Sequence, residues 1–316
     1  MKSEEFDLII IGAGGAGLAA AMYGARLNMK TLCLGSSHGT EMPLGGVITT
    51  TNVVENYPGF IRLTGTELAD KIKEHAQSYE LVTLKEEKAI EVKQSKDLFH
   101  VKTEEHNYIG KTLIFATGTK WRKLDCPGSK EYENKGVAYC ALCDAPLFKN
   151  KVVAVVGGSD SAAKDAMVLA EHAKKVYIIY RGDKIRPEPI NYERIMKNKK
   201  IEVINNTNVI EIKGKQFVEK VVLDKSYKES KELELQGVFV AIGHIIISDL
   251  AKSIGVKTND KGEIILDHKT SATNLQGVFA AGDVTDKPFK QLITGVADGC
   301  TAAFSAHEYL SKNNLR

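Results

Sequence analysis

The stretch Asp7-Leu-Ile-Ile-Ile-Gly-Ala-Gly-Gly-Ala-Gly17 decides the fold of this 316-residue chain. Its apolar half, Asp7 to Ile11, is continuous rather than alternating, which is typical of a strand buried on both faces of a parallel sheet. The glycines have the spacing G-x-G-x-x-G, and an Ala-rich helical segment, Leu18 to Leu27, follows them. With a further strand at Lys30 to Leu34, the sequence predicts a strand–glycine loop–helix–strand unit.

Each glycine of this loop has a physical reason in that context. Gly12 permits a tight turn, Gly14 lets the backbone approach a pyrophosphate, and Gly17 lets the helix pack closely on the strand. The phosphates would lie at the helix N-terminus. The acid that ordinarily reads a ribose, about 20 residues further on, is missing, because Gly35 follows the second strand and Glu41 is only close in sequence. A tight turn in an α/β fold without a nucleotide is the alternative.

A second copy of this unit begins at residue 151. It has a strand at Lys151 to Val156, a helix at Ser161 to His172 and a strand at Lys175 to Tyr180. Its loop is Gly157-Gly158-Ser159-Asp160-Ser161-Ala162, in which Ser159 stands at the middle glycine. A serine carries a β-carbon where the backbone should approach a phosphate. Weak or absent dinucleotide binding is therefore the alternative for this copy.

The segment after the second copy is Tyr180-Arg-Gly-Asp-Lys-Ile-Arg186. It has no carboxylate where the ribose of NAD would be read, whereas Arg181 and Arg186, with Lys184 between them, suit the 2′-phosphate of NADP. A solvated charged loop is the alternative.

A pair of cysteines precedes the second copy, in Cys140-Ala-Leu-Cys143-Asp144. Cysteines at this spacing can close a small disulfide at a helix start, where the thiolate form is favoured. A zinc site would need two more ligands at comparable spacing, and no other C-x-x-C or H-x-x-H exists, so we predict no metal. Structural cysteine is the other alternative. Asp144 is a candidate catalytic proton donor beside the redox pair.

Length and composition exclude several classes of protein. A chain of 316 residues, 43% hydrophobic and 26% charged, is long enough for two ordinary domains and is neither disordered nor fibrous. The 43 basic and 40 acidic residues give a net charge of +3, which offers no electrostatic case for nucleic acid or an anionic membrane. Five scattered cysteines and an acidic start without a signal peptide predict a cytoplasmic protein. The uncharged run Leu8 to Ala25 approaches membrane-span length, but its glycines divide it into strand, turn and helix.

The ordered set of motifs resembles the low-molecular-weight thioredoxin reductases, flavoproteins of the two-dinucleotide-domain disulfide oxidoreductase class. The resemblance covers essentially the whole chain. Besides the two glycine loops and the C-x-x-C, its motifs are Gly45-Gly-Val-Ile-Thr-Thr-Thr51, Val54-Glu-Asn-Tyr-Pro-Gly59, Ala116-Thr-Gly118, Ala241-Ile-Gly-His244, Gly277-Val-Phe-Ala-Ala-Gly-Asp-Val284, Lys290-Gln291 and Asp298-Gly-Cys300.

The resemblance implies an α/β fold of two Rossmann-like dinucleotide-binding domains, the second inserted into the first. Residues 1–117 and 246–316 would form the FAD-binding domain, and residues 118–245 the NAD(P)H-binding domain that carries the dithiol. The implied FAD-binding residues are Gly12, Gly14, Gly15, Gly17, Gly46, Asn56, Thr117, Gly118, Gly282, Asp283, Lys290 and Gln291. The implied NAD(P)H-binding residues are Gly157, Gly158, Ser159, Asp160, Ser161, Arg181 and Arg186.

The resemblance also implies an activity. Electrons would pass from NADPH, or NADH, through FAD to the dithiol and on to a thioredoxin-like or glutaredoxin-like protein. Cys143 resembles the cysteine that meets the flavin, Cys140 resembles the one that attacks the partner disulfide, and Asp144 matches the family's acid. The family alternates two domain orientations and is homodimeric.

Departures from the family pattern concentrate at the nicotinamide motifs. Ser159 replaces a glycine, Gly182 an arginine and Tyr180 a histidine, while Ile245-Ile246 replaces Pro-Asn and Ala145 replaces the glycine after Cys-Asp. Disulfide reduction with another donor, such as reduced ferredoxin, is therefore one alternative. A redox-sensing flavoprotein with vestigial turnover is the other.

Overall fold

The structure is a computed structural model that describes residues 4–36, 43–51 and 54–315. It divides into two compact units, one made of Met1–Lys120 with Ile246–Arg316 and the other of Trp121–Ile245. The second unit is thus inserted into the sequence of the first. The acid Glu41, which sequence alone could not place, lies outside the described residues.

The first unit is built on a seven-stranded sheet in the order β3-β2-β1-β6-β5-β4, with β17 also paired to β6. Strands β1, β2, β3, β6 and β17 are parallel, and β4 and β5 are antiparallel additions. Its strands are β1 (Glu4–Ile11), β2 (Thr31–Gly35), β3 (Val82–Glu86), β4 (Ala89–Ser95), β5 (Leu98–Thr103), β6 (Asn107–Phe115) and β17 (Val278–Ala280). Its helices are α1 (Gly15–Arg26), α2 (Gly65–Gln77), α6 (Asp249–Ser253) and α7 (Leu292–Lys312).

The second unit has a five-stranded parallel sheet in the order β11-β10-β9-β15-β8 and a separate antiparallel sheet, β12-β13-β14. Its strands are β8 (Val137–Ala138), β9 (Val152–Val156), β10 (Lys175–Ile179), β11 (Ile201–Ile204), β12 (Val209–Gly214), β13 (Val218–Tyr227), β14 (Ser230–Glu234) and β15 (Gly237–Val240). Its helices are α3 (Ala141–Asp144), α4 (Asp160–His172) and α5 (Pro189–Lys197). The segments β7 (Thr119–Trp121) and β16 (His244–Ile246), where the chain leaves the first unit and returns, pair as a two-stranded sheet.

Both units bury their central strand on two faces, as the continuous apolar runs predicted. In β1, Leu8 and Ile10 pack with α1 and α7, whereas Ile9 and Ile11 pack with the antiparallel strands. In β9, Val153 and Val155 pack with α4, whereas Ala154 and Val156 pack with β12 and β13. Because successive side chains of a strand point to opposite faces, an unbroken apolar run fills two cores.

The predicted α/β class with two Rossmann-like units is confirmed. The uncharged run that approached membrane length is β1, a glycine turn and α1. No helix within the described part of the chain is long and apolar enough to cross a membrane.

Candidate functional site

The first glycine loop requires glycine for two different reasons. Gly12 has a φ of +109°, and a β-carbon there would lie 2.2 Å from the carbonyl oxygen of Ala116. A β-carbon on Gly17 would lie 1.8 Å from the carbonyl oxygen of Gly12. The loop therefore holds the start of α1 directly against the end of β1, as the spacing predicted.

Helix α7 crosses the start of α1 at very short range. A β-carbon on Gly299 would lie 2.0 Å from the carbonyl oxygen of Ala16, and one on Gly15 would overlap the side chain of Leu292. Gly282, with a φ of +77°, places its α-carbon beside Ala16 and Gly295. Small residues from distant parts of the chain thus meet at the helix N-terminus, which no local pattern could show.

The polar residues predicted to hold FAD come together in pairs within the first unit. The Asn56 amide nitrogen donates to Gln291 Oε1 at 2.9 Å. Lys290 Nζ donates to the carbonyl oxygen of Asp283 at 3.0 Å and to Glu263 at 2.5 Å. Glu263, which sequence reasoning missed, therefore fixes the lysine that follows the Gly-Asp motif.

The other residues predicted to bind FAD lie at strand ends or in loops of the same unit. Gly46 has a φ of +77° and its α-carbon is 3.5 Å from where a β-carbon of Gly14 would stand. Thr117, buried after β6, donates its hydroxyl to the carbonyl of Ile247, and Gly118 has a φ of +62°. Helix α1 carries no acid in its first turn. A 12-residue helix that begins Gly15-Ala16-Gly17 and has no acid in its first turn fits a pyrophosphate, so the residues of this unit fit FAD.

The two cysteines of the C-x-x-C form a disulfide at the start of α3, with a Cα–Cα distance of 5.4 Å. Cys140 caps the helix, and its sulfur accepts a hydrogen bond from the Cys143 backbone N–H at 3.1 Å. Cys143 is exposed and Cys140 is half-buried. In general, a backbone N–H that donates to a cysteine sulfur favours the thiolate over the thiol.

Asp144 ends the same short helix and is half-buried. Burial raises the pKa of its carboxyl above the usual aspartate value, because the charged form loses solvation. Ala145, where the family has glycine, is fully buried behind it. A carboxyl with a raised pKa, one residue from a thiol, is suited to carry a proton.

The second glycine loop keeps the backbone of the first but differs in its side chains. Gly157 has a φ of +148°, and a β-carbon there would lie 2.1 Å from the carbonyl oxygen of Ala241. Ser159 stands at the N-cap of α4, and its side chain makes no capping hydrogen bond to any described residue. Ser161 is exposed on the first turn.

Asp160 puts a carboxylate at the first position of α4. It accepts hydrogen bonds from the Glu188 backbone N–H at 2.9 Å and from Asn191 at 2.8 Å, and it pairs with Lys164 at 2.9 Å. Partial burial opposes ionisation of this carboxyl, but these partners outweigh it and lower its pKa. A carboxylate that is paired with Lys164 therefore stands at the start of α4.

Tyr180 covers the same loop from the end of β10. A β-carbon on Gly158 would lie 2.4 to 2.7 Å from three ring atoms of Tyr180. The side chain of Arg186 donates to the Tyr180 hydroxyl at 2.9 Å, while Arg181 is exposed. Lys184 lies over the ring of Tyr192 at 4.9 Å. Two of the three cations predicted to read a 2′-phosphate, Arg186 and Lys184, are thus engaged by tyrosines.

Sequence reasoning marked Tyr180 only as a departure from the family pattern. The signal in the sequence that could have shown its contact with the loop is its size beside two glycines, Gly158 and Gly182.

Among the described residues, one group brings three metal-ligating side chains within 4.8 Å of one another: Glu87, Glu105 and His106. It lies in the first unit, and Glu87 already accepts hydrogen bonds from Thr103 and Tyr108.

Two Rossmann-like units and a surface disulfide define the class: a disulfide oxidoreductase. The chain matches the profile of the pyridine nucleotide-disulphide oxidoreductases over residues 6–299. It is 40% identical to a thioredoxin reductase of Peptoclostridium acidaminophilum, with 98% of each chain covered. The crystal structure of Lactococcus lactis thioredoxin reductase superposes with a TM-score of 0.91, at 36% identity over 97% of this chain and 99% of that one.

A ferredoxin-flavin thioredoxin reductase from Clostridium acetobutylicum is also similar. It is 32% identical, with a TM-score of 0.52, and covers 98% of this chain and 100% of its own. The chain therefore belongs to the pyridine nucleotide-disulphide oxidoreductase family, as a member of its low-molecular-weight thioredoxin reductases. Membership implies a flavin and a pyridine nucleotide as cofactors.

Proposed function

We propose that this protein is an FAD-dependent thioredoxin-disulfide reductase whose exchanging pair is Cys140 and Cys143. The observation that carries the proposal is the disulfide at the start of α3, with an exposed cysteine and a half-buried one. The names of the thioredoxin reductases that resemble the chain over its full length support the same activity. The partner would be a thioredoxin-like or glutaredoxin-like protein.

FAD, when bound, would supply the redox chemistry that links the electron donor to the dithiol. We assign Gly12, Gly14, Gly15 and Gly17 to its pyrophosphate, because they form the turn that leads into the N-terminus of α1. We assign Asp283 to the ribityl chain and the pair Asn56 and Gln291 to the flavin ring. Further assigned contacts are Gly46, Thr117, Gly118, Gly282 and Lys290.

The exchange with the partner conserves electrons at every step. The Cys140–Cys143 disulfide takes up two electrons and two protons and becomes a dithiol. The thiolate of Cys140 then attacks the partner disulfide, which forms a mixed disulfide and releases one partner thiolate. Cys143 attacks the mixed disulfide at Cys140, which re-forms the internal bond and releases the second thiolate.

Asp144 would serve this exchange as its acid. Each released thiolate needs one proton, and a carboxyl whose pKa is raised by burial gives up its proton closer to neutral pH than an exposed aspartate does. It follows Cys143 directly in the same short helix.

The electron donor has three candidates. NADPH is the donor that family resemblance favours, and NADH is its close substitute. Reduced ferredoxin is favoured by one observation, the ring of Tyr180 over Gly158, and by the name of the Clostridium acetobutylicum relative. An anaerobic comparison of the three as reductants of the holoprotein assigns the donor.

The dithiol role is tested by replacing one sulfur atom at a time. We expect Cys140→Ser and Cys143→Ser to lower disulfide turnover at least about a thousandfold, since each removes one sulfur of an exchanging pair. Flavin content should stay unchanged. Cys126→Ser is the matched control, because Cys126 is a free, half-buried cysteine of the same unit. Full turnover by Cys140→Ser would show that the disulfide is structural.

Three further expectations stay predictions. The homodimer implied by the family is checked by the solution mass of the holoprotein. The FAD domain of residues 1–117 with 246–316 and the second domain of 118–245 are checked by limited proteolysis. A cytoplasmic location rests on the sparse cysteines and is checked by fractionation.

A further inference from the structure

The two glycine loops can be compared residue by residue, because their strands have the same register. Ile11 pairs with Leu34 in the first unit, and Val156 pairs with Ile179 in the second. The next backbone bond is also the same: the N–H of the first glycine donates to the last residue of the second strand, at 2.8 Å and 3.0 Å. Gly35 and Tyr180 therefore occupy equivalent positions, and so do Ala13 and Gly158.

These equivalent positions carry opposite side chains. At Gly35 no side chain projects from the strand end, and its nearest neighbours are Ala13 and Leu44. At Tyr180 a ring projects from the strand end onto Gly158. The ring also contacts Gly182, where a β-carbon would lie 2.6 Å from it. The strand end beside the second loop thus carries a large side chain, whereas the equivalent strand end beside the first loop carries none.

Arg186 ties the ring and the loop together. Its guanidinium donates to the Tyr180 hydroxyl at 2.9 Å, and its backbone N–H donates to the carbonyl oxygen of Gly158 at 2.6 Å. Arg186, the last residue of the segment from 181 to 186, is therefore fixed both to the glycine loop and to the ring. A ring held by a charge-assisted hydrogen bond and packed between two glycines is not a freely rotating surface side chain.

In this fold the residue at the end of the second strand meets the adenosine ribose of a bound dinucleotide. We propose that Tyr180, held by Arg186, closes the second glycine loop against NADPH and NADH and so determines which electron donor the protein accepts. The consequence for electron supply rests on the proposed function; the exclusion of nucleotides does not.

Calorimetric titration of the FAD-loaded protein with NADP⁺ and with NAD⁺ tests this without any turnover. We expect the wild type to bind both more weakly than about 1 mM. Tyr180→Ala should tighten binding of at least one of them about tenfold or more, because it removes the steric conflict. Tyr177→Ala is the matched control: Tyr177 lies on the same strand, packs against Tyr227 and belongs to the core on the opposite face.

A second variant keeps a ring-bearing side chain at the end of β10. Tyr180→His restores the residue type that the family pattern expects and is too short to keep the hydroxyl bond to Arg186. Its affinity should fall between those of the wild type and Tyr180→Ala. Micromolar binding by the wild type, or equally weak binding by both Tyr180 variants once their folding is verified by circular dichroism, would overturn the inference. Either result leaves the Cys140→Ser test untouched, so the two proposals fail independently.

Discussion

The two glycine loops of this protein share a backbone and differ in what surrounds it. Gly12 and Gly157 both have a positive φ and both lie against a carbonyl oxygen of a neighbouring strand end. In the first unit the helix that follows starts without an acid, whereas in the second it starts with Asp160. Tyr180 then covers the second loop, and Gly35 leaves the equivalent place without a side chain.

If Tyr180 excludes nucleotides as proposed, a glycine motif alone does not suffice for a dinucleotide site. The glycines set the turn and the distance between strand and helix, and both loops have these. What a ligand meets is decided by the end of the next strand and by the first residue of the helix.

The largest effect on stability and flavin content should come from exchanging the residue at the last position of G-x-G-x-x-G between the two loops. Gly17→Ala places a methyl group 1.8 Å from the carbonyl oxygen of Gly12, although Ala162 occupies the equivalent place in the second loop. We expect a cost of at least about 3 kcal/mol and loss of bound flavin, because backbone cannot yield as a side chain can. The ratio of flavin to protein absorbance after purification measures it.

The reverse exchange is the control for that experiment. Ala162→Gly should cost about 1 kcal/mol or less and leave flavin content unchanged. If Gly17→Ala retained a full complement of FAD, the close contact between α1 and β1 would not be what holds the first site open.

An intermediate effect on the free energy of unfolding should come from giving the second loop the residue pair of the first, Ala13 and Gly35. Gly158→Ala alone should cost about 1–3 kcal/mol, because the new methyl group meets the ring of Tyr180 at 2.4 Å. In the Tyr180→Gly background the same change should cost almost nothing, since the pair then matches Ala13 and Gly35. Urea unfolding monitored by Trp121, the single tryptophan, reports on the second unit.

Gly158→Ala, Tyr180→Gly and their combination form a double-mutant cycle with the wild type, and this cycle supplies its own control. Additive effects, within about 0.5 kcal/mol, would mean that the ring does not rest on Gly158 in solution.

The smallest effect concerns the charge at the start of α4. Because the folded protein holds the pKa of Asp160 below the usual aspartate value of 3.8, the unfolded chain takes up its proton first as the pH falls. Ionised Asp160 therefore stabilises the protein at neutral pH, and this stability is lost as the pH falls through the lowered pKa. Asp160→Asn should cost about 0.3–1 kcal/mol at pH 7, with the difference from wild type shrinking in acid.

Urea midpoints measured across the acid range, again by Trp121 fluorescence, follow this difference. Asp183→Asn, at an exposed aspartate of the same unit, is the matched control and should show no such dependence. A constant difference between Asp160→Asn and wild type at every pH would assign the effect to shape rather than charge.

Much of the fold could be predicted because it rests on local patterns. The continuous apolar runs at β1 and β9 and the glycine spacing predicted both units, and the C-x-x-C predicted the disulfide. The start of α1 was placed late, at Leu18 rather than Gly15, because glycine reads as loop and only packing against α7 makes it helical here. The Asn56–Gln291 contact could be expected only by resemblance, since its partners are far apart in the chain.

By itself the sequence determined that this chain forms two strand–glycine–helix–strand units and carries an exchangeable cysteine pair, because periodicity, turn chemistry and cysteine spacing act over a few residues. Only the tertiary structure decided which side chains surround each loop. The side chain over a glycine loop comes from the end of a neighbouring strand, and Tyr180 reaches Gly158 only when β9 and β10 pair. Contacts between neighbouring strands depend both on their register and on the size of their side chains, and the glycine motif specifies neither.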